Sequence, residues 1–423
     1  MIKNNDNKFN LLKKFIIILC ILISVCVLTG CSAKKTEIDL SGTEIKMLSS
    51  GQASSFSQSN KDGYYELANP KQLRKGFNIL YTDYNTKNKI VLCSSTSCEH
   101  REESCTGYIT GAPIRNFVIN DKIIVFSLVE ENGEYFKNII SAELNGENRK
   151  ILYTLNQSES EGDEYLCDNE NLYFVISKPF EKNGEILYPQ ILVKLNIYTG
   201  EMVEVLNLSE KFDNAYVKIV GAYKDELIVE SVSSKRIIKS IKINGNQGTL
   251  KKEEFSYDDT NIKYDGKYLY CVSYKDRTFV RENLETGEQK VLNWPDNANF
   301  NVIDSSLGNV IDENILFTEI EIKKVENKSV RKDKLYVINF DNEEFYEIKL
   351  TFDYDGIVKP IVVVAQTDSH FFVMNGMKNI MHYYPESEKG ITSDMVPTPQ
   401  YAMISKDDFW RSNPNYVEIN YIP

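Results

Sequence analysis

Short apolar segments alternate with polar loops along most of this chain, and within many segments apolar and polar side chains alternate at every second residue. The runs 172–176 and 268–272 are clear examples, and each is followed by a second alternating segment, a turn and a third short segment. Val, Ile, Tyr and Phe at a period of two favour β-strands, and convincing helical periodicity is scarce. The pattern predicts an all-β protein.

Tight turns built from Asn, Thr, Gly and Glu recur between these strands. The clearest lie at 198–201 and 285–288, and weaker copies lie at 85–88, 145–147, 244–246 and 341–343. From residue 88 to residue 342 the mean spacing is about 51 residues, and a four-stranded unit repeating at roughly that length is typical of a β-propeller. The spacing predicts about seven four-stranded blades. The alternative is two stacked β-sandwich domains.

The first 30 residues have the pattern of an export signal. Lysines at positions 3, 8, 13 and 14 precede an apolar run at 15–28. This run of about 14 residues is shorter than the roughly 20 that cross a bilayer, which favours a cleaved signal peptide over an uncleaved anchor. The run ends in Leu28-Thr29-Gly30-Cys31, and the residues that follow are polar or small.

Residues 28–31 resemble the lipobox of bacterial lipoproteins. That resemblance implies cleavage before Cys31 and diacylation of Cys31, so the protein would be lipid-anchored on the outer face of the cell membrane. The expected organisation is a signal peptide at 1–30, a lipidated tether at 31–60 and the propeller at 61–423. Within the tether, residues 44–48 could form a strand that joins the fold.

The charge of the chain limits its partners. The formal net charge is -12. Removal of the signal peptide, with its four lysines and Asp6, would bring the charge to about -15, which argues against nucleic-acid binding. The expected partners are the membrane, through the lipid anchor, and an unknown protein or small-molecule ligand.

One cluster of residues points to metal chemistry: Cys93, Cys98, His100 and Cys105 lie within 13 residues, on a loop expected between two blades. Three thiolates and an imidazole are a ligand set for tetrahedral zinc, and the sulfurs would also accept Cu(I). A closed four-ligand site would be structural, whereas an open one would suit catalysis or metal carriage. Two alternatives remain, a disulfide with one leftover thiol and three reduced, unligated thiols.

The same cluster resembles a family of uncharacterised lipoproteins from clostridia-like bacteria. Those proteins are predicted propellers, similar to domains of unknown function named for a likeness to the low-density-lipoprotein receptor propeller. The YWTD repeat of true receptor propellers is absent here. The resemblance implies the fold and the location but no activity. It is carried by Cys31, Cys93, Cys98, His100, Cys105 and the segment 401–410.

Other catalytic chemistry lacks a sequence signature. The chain has no GxSxG elbow, HExxH motif or P-loop. The segments 368–370 and 353–356 are predicted to be turns. The C-terminal segment from residue 401 is predicted to have a structural role, with a strand at 401–404, a helical turn at 406–411 and a terminal strand that could complete the first blade. We therefore expect a non-enzymatic binding or scaffolding propeller. The alternative is a metal-handling protein or an enzyme that uses the Cys/His loop.

Overall fold

Strands dominate the computed structural model, which describes residues 45–48, 57–70, 73 and 75–422. Short gaps within these ranges fall at 183, 225, 233–235, 245–246, 257–261, 297, 299, 301–304, 326–327 and 388–389. Seven sheets of at least four strands follow one another along the chain and form a seven-bladed β-propeller, which confirms the predicted fold. The predicted signal peptide and Cys31 lie outside the described residues.

Strand β1 precedes the ring and spans Lys46–Met47. The first three blades contain β2 to β16. Blade 1 has β2 (Ser57–Ser59), β3 (Gly63–Ala68), β4 (Gly76–Asp83), β5 (Asn88–Val91) and β6 (Tyr108–Thr110). Blade 2 has β7 (Ala112–Ile119), β8 (Lys122–Glu131), β9 (Glu134–Glu143) and β10 (Lys150–Leu155). Blade 3 has β11 (Ser160–Cys167), β12 (Asn171–Ser177), a side hairpin of β13 (Phe180–Lys182) and β14 (Glu185–Leu187), then β15 (Gln190–Asn196) and β16 (Met202–Asn207).

A short helix, α1 (Leu208–Lys211), leads into the remaining four blades. Blade 4 has β17 (Tyr216–Tyr223), β18 (Glu226–Val232), β19 (Arg236–Asn244) and β20 (Gln247–Ser256). Blade 5 has β21 (Ile262–Tyr264), β22 (Tyr268–Ser273), β23 (Thr278–Asn283) and β24 (Gln289–Asn293). Blade 6 has β25 (Ser305–Ile311), β26 (Asn314–Val325), β27 (Lys328–Asn339), β28 (Glu344–Ile348), β29 (Thr351–Tyr354) and β30 (Ile357–Pro360). Blade 7 has β31 (Val362–Gln366), β32 (His370–Ser387), β33 (Gly390–Ser405), helix α2 (Lys406–Trp410) and β34 (Val417–Glu418), and β35 (Asn420–Ile422) follows it.

The first strand of each blade lies innermost, at the central channel. The first strands of neighbouring blades contact each other. For example, β11 contacts β17, β17 contacts β21, and β21 contacts β25. These strands begin at residues 57, 112, 160, 216, 262, 305 and 362, a mean spacing of about 51 residues that matches the repeat predicted from the turns.

The hydrophobic core is divided among the spaces between blades, and β12 shows why. Leu172, Phe174 and Ile176 pack with residues of blade 2. Tyr173 and Val175 pack with residues of blade 4. Because a blade is covered on both sides, both faces of its second strand must be apolar, and the sequence shows a continuous apolar run.

The predicted turns close through side-chain hydrogen bonds to the backbone. In the turn at 198–201, the Oδ1 atom of Asn196 accepts the N–H groups of Tyr198 and Thr199. Gly200 has a φ of 81°, a left-handed conformation that glycine adopts without steric cost. The segment 353–356 is a turn, where Asp353 accepts the N–H of Gly356. The segment 367–370 is also a turn, closed by the N–H of Thr367 donating to the carbonyl of His370.

The N-terminal strand β1 lies in the channel. It pairs antiparallel with the free edge of β11 and also contacts β17. Ile45 is buried between blades 3 and 4, and Leu48 is buried between blades 2 and 3. Strands β1 and β2 both lie within the segment predicted as tether, and the strand expected near residues 44–48 is present in its described part.

The ring closes at its outer edge, between blade 7 and blade 1. The N–H of Ile419 donates to the carbonyl of Tyr401 in blade 7, and the N–H of the next residue, Asn420, donates to the carbonyl of Lys87 in blade 1. Strand β35 then pairs in parallel with β5. The terminal strand therefore completes the first blade, as the sequence suggested. Among the described residues, neither helix has the length and apolarity needed to cross a bilayer.

Candidate metal centre

The Cys/His loop, residues 92–107, is an insertion within the outer strand of blade 1. Strands β5 and β6 both pair antiparallel with β4, β5 with residues 80–82 and β6 with residues 76–78. They are therefore two halves of one outer strand. The sequence placed this loop between two blades, because the two halves are too short to be recognised as one strand.

The loop leaves and rejoins the sheet at a single residue of β4. The N–H of Leu92 donates to the carbonyl of Ile79 at 2.9 Å, and the N–H of Ile79 donates to the carbonyl of Gly107 at 2.8 Å. The Thr106 hydroxyl donates to the carbonyl of Leu92 at 3.0 Å. A Cβ atom on Gly107 would lie 2.8 Å from the Leu92 oxygen, so the close approach at this base needs glycine.

The four predicted ligands converge inside this loop. The candidate ligand atoms of Cys93, Cys98, His100 and Cys105 all lie within 4.8 Å of one another. The Nδ1 atom of His100 lies 3.3 Å from the Sγ atom of Cys105. Cys105 is buried and the other three are partly buried, and all three thiols are free. The structure therefore brings together every residue that the sequence singled out for this site.

The backbone of the loop is shaped around the sulfur atoms. His100 has a φ of 60°, in the left-handed region that is uncommon for residues other than glycine. This conformation directs its N–H to the Sγ atom of Cys98, at 3.4 Å. The left-handed turn at His100 therefore brings the backbone of the loop against the Cys98 sulfur.

The thiols of the cluster differ in their acidity. Burial raises the pKa of Cys105 to about 12, and the neighbouring thiols of Cys98 and Cys93 act in the same direction. At Cys93 burial also acts to raise the pKa. There, hydrogen bonds from the Ser95 backbone and the Thr106 hydroxyl, together with the nearby thiols, outweigh burial and lower the pKa of Cys93. The cluster thus combines a thiol whose pKa is lowered, at Cys93, with a thiol whose pKa is raised, at Cys105.

Two residues that the sequence analysis did not identify hold the loop in place. Asn78, fully buried on β4, donates from Nδ2 to the carbonyl of His100 at 3.0 Å. Arg149 of blade 2 donates to the carbonyls of Tyr108 and Glu103. A single asparagine within the apolar run 77–80 was the available signal for Asn78. No local sequence pattern indicates the role of Arg149, because this residue belongs to blade 2 and contacts blade 1.

The geometry suits one tetrahedral ion. Four sulfur ligands at about 2.3 Å from a zinc ion would lie about 3.8 Å from each other, so donor atoms within 4.8 Å need only a small contraction. Four protein ligands complete a tetrahedron and leave no position for substrate. The arrangement therefore fits a structural metal site better than a catalytic one.

No protein-family model matches this sequence, and no curated protein matches it. Solved structures do resemble its fold. Prolyl oligopeptidase B from Galerina marginata is similar over 83% of this chain and 46% of its own length, with 10% identity and a TM-score of 0.46. The propeller domain of the Trilobed protease from Pyrococcus furiosus is similar over 89% of this chain and 96% of its own length, with 10% identity and a TM-score of 0.40.

A third similar structure is the acylaminoacyl peptidase of Pyrococcus horikoshii, covered over 57% of its length at 11% identity, with a TM-score of 0.43. The chain thus spans only about half of the prolyl oligopeptidase that it resembles. The prediction of a non-enzymatic binding module is contradicted by these comparisons, since the solved structures that resemble this fold belong to peptidases. The likeness itself concerns the fold alone.

Proposed function

We propose that this protein is a metal-binding β-propeller, in which Cys93, Cys98, His100 and Cys105 hold one zinc ion that fixes the loop at the outer edge of blade 1. The observation that supports this most directly is the convergence of four soft or borderline ligand atoms within 4.8 Å. Zinc is favoured over copper because the mixed sulfur and imidazole set has four members and closes a tetrahedron.

The loop itself explains why a metal would be useful. Its 16 residues are inserted at one point of β4, and of its ligands only Cys105 is fully buried. A loop with so little apolar burial has little else to offset the entropy of ordering it. A metal bound by four side chains supplies that stabilisation directly, because metal binding is coupled to ordering of the chain.

Metal analysis of the intact protein, purified under reducing conditions without chelator, tests this proposal. We expect one zinc per chain and no reactive thiol among Cys93, Cys98 and Cys105 until the metal is removed. The His100→Asn variant is expected to lose the metal, and asparagine is a suitable replacement because it tolerates the left-handed backbone at this position.

Absence of any metal, together with a disulfide among the three cysteines found by mass mapping, would contradict the proposal. Stoichiometric copper in place of zinc would keep the site and correct the choice of metal. Retention of the metal in His100→Asn would remove the histidine from the ligand set.

We also propose that the protein is a bacterial lipoprotein of the clostridial type, anchored on the outer face of the cell membrane through Cys31. The apolar run at 15–28 and the lipobox-like residues 28–31 support this placement. Two acyl chains bind a bilayer firmly, whereas one would give only marginal attachment. The propeller would then be presented outside the cytoplasm, with the membrane as its first partner.

The Cys31→Ser substitution is expected to abolish acylation, because the serine hydroxyl replaces the sulfur that carries the lipid. Incorporation of labelled palmitate in cells measures the acylation. Separation of membrane and soluble fractions measures the attachment of the protein to the membrane. The matched control is Cys167→Ser, which changes a cysteine of β11 and should leave labelling unchanged. Equal labelling of the wild type and Cys31→Ser would refute the lipid anchor.

A further inference from the structure

An open groove lies between the outer parts of blade 1 and blade 2. Its volume is about 1300 Å³, which is more than the roughly 300 to 1,000 Å³ of a site for a small molecule. Strand β6 and part of the Cys/His loop form one wall, and β8, β9 and β10 form the other. The four candidate metal ligands lie outside this lining, so the groove is a separate site.

Contacts between the two blades fix the walls of the groove. The Ser127 hydroxyl of β8 donates to the carbonyl of Thr110 in β6 at 2.5 Å. A Cβ atom on the next residue, Gly111, would overlap the same hydroxyl, so the blades approach as closely as a glycine permits. The Arg149 side chain of blade 2 donates to the carbonyl of Tyr108 in β6. The protein therefore holds the groove in shape by its own hydrogen bonds.

Apolar side chains line much of the groove, and some of them are exposed. Ile109 of β6 and Val129 of β8 are buried, and Ile140 of β9 is partly buried. Ile151 of β10 is 56% exposed and Tyr135 of β9 is 47% exposed. Exposed apolar side chains grouped in a concave surface favour an apolar binding partner.

The end of the groove at the β8–β9 hairpin is acidic. Glu130 and Glu131 line the groove, Glu134 follows on the same hairpin, and all three are exposed. The chain has no Lys or Arg between Lys122 and Lys137. Within the described ranges, no hydrogen bond or ion pair engages the carboxylates of Glu130 and Glu131. This end of the groove therefore carries negative charge without a counterion.

Two of the three cations in the lining are held elsewhere. Arg149 donates to backbone carbonyls of blade 1. The ammonium group of Lys150 donates to the carbonyls of Tyr198 and Thr199 in blade 3, at 2.9 and 3.1 Å. The third cation, Lys75, is exposed on the blade 1 side. A bound partner would have to supply the positive charge at the hairpin end.

We propose that this groove docks an extended segment of another protein, in which basic side chains alternate with apolar ones. The apolar lining receives the apolar side chains, and Glu130 and Glu131 pair with the basic ones. The volume favours a polypeptide segment over a small metabolite. The net charge of -12 also favours a basic partner.

Fluorescence anisotropy of a short labelled peptide of alternating Leu and Lys, titrated with the intact protein, tests the site. Two matched peptides separate the contributions, one with Glu in place of Lys and one with Ser in place of Leu. Each should bind at least about tenfold more weakly than the Leu/Lys peptide, because one loses the charge complementarity and the other the apolar burial.

The double substitution Glu130→Gln with Glu131→Gln should weaken binding of the Leu/Lys peptide about three- to tenfold, the effect expected from the loss of two exposed ion pairs. The matched control is Glu181→Gln with Glu185→Gln, which changes two exposed carboxylates on the side hairpin of blade 3. The control should leave the affinity unchanged.

The Ile151→Ser substitution should weaken binding about tenfold, because it removes an exposed apolar side chain of the groove. Its control is Val291→Ser on β24, where the valine is 53% exposed on the outer strand of blade 5. The proposal is overturned if the Leu/Lys peptide does not bind, if the Ser/Lys peptide binds equally well, or if the control variants weaken binding as much as the groove variants.

Discussion

The Cys105→Ser substitution is expected to lower the affinity for zinc by more than about 100-fold, the upper end for loss of a group that only supports a metal ligand. Cys105 is the buried member of the cluster, and its Sγ atom lies 3.3 Å from the Nδ1 atom of His100. A serine hydroxyl at this position is a poor zinc ligand, so the zinc ion would lose the most deeply buried of its four ligands. Competition with a chromophoric chelator measures the change.

The raised pKa of the Cys105 thiol leads to a prediction of how zinc binding depends on pH. Because burial raises the pKa of Cys105 to about 12, this thiol carries its proton at neutral pH in the metal-free protein. Zinc binds the thiolate, so the proton is released on binding. The apparent affinity of the wild type should therefore rise about tenfold per pH unit from this group alone. An affinity that is flat or falls with pH would contradict the assignment of Cys105 as a ligand.

The control for Cys105→Ser is Cys271→Ser. Cys271 is also buried, on β22 of blade 5, away from the cluster. The Cys271→Ser variant should bind zinc as the wild type does, even if the variant is less stable. A loss of zinc in both variants would show that unfolding, and not loss of a ligand, explains the result.

The Lys89→Met substitution is expected to destabilise the propeller by about 3 to 5 kcal/mol, the cost of leaving one charge of a buried ion pair without its partner. Lys89 of β5 forms an ion pair with Glu66 of β3, and both side chains are almost fully buried. The ammonium group also lies 5.0 Å from the ring centre of Tyr401, in blade 7. The pair therefore lies where the last blade meets the first. Urea denaturation measures the change in the free energy of unfolding.

Two further variants separate charge from packing. The double substitution Glu66→Gln with Lys89→Met should recover part of the lost stability, because it removes the unpaired carboxylate. Lys224→Met removes the pair between Lys224 and Glu285, whose side chains are 62% and 59% accessible, and should cost far less stability than Lys89→Met because solvent screens exposed charges. A loss of similar size in Lys224→Met and Lys89→Met would contradict the importance of the buried pair.

Local patterns predicted the blades well because each blade is built from neighbours in sequence. The turn at 198–201 contains the asparagine-based hydrogen bonds and the left-handed glycine that the sequence indicated. The alternation of Leu172 and Tyr173 between blade 2 and blade 4 follows from strand geometry alone. The pairing of strands that are only a few residues apart can be predicted without knowing how the blades close into a ring.

The candidate metal centre was predictable in its ligands but not in its setting. The spacing of Cys93, Cys98, His100 and Cys105 indicated the donor set, and the structure brings the four together. The sequence analysis missed the split outer strand, the anchoring by Asn78 and the tie to Arg149, and of these only Asn78 had a local signal, its place in an apolar run. The first two depend on how strands pair within blade 1, and the tie to Arg149 depends on the packing of blade 1 against blade 2.

By itself the sequence determined an all-β chain, its sevenfold repeat and a compact set of soft ligands, because period-two alternation, turn chemistry and ligand spacing are local properties. Only the tertiary structure decided that β1 lies along β11 in the channel and that β35 pairs with β5 across most of the chain. These contacts join residues far apart in sequence. They exist only once the ring has closed and strand edges from different blades have been brought side by side.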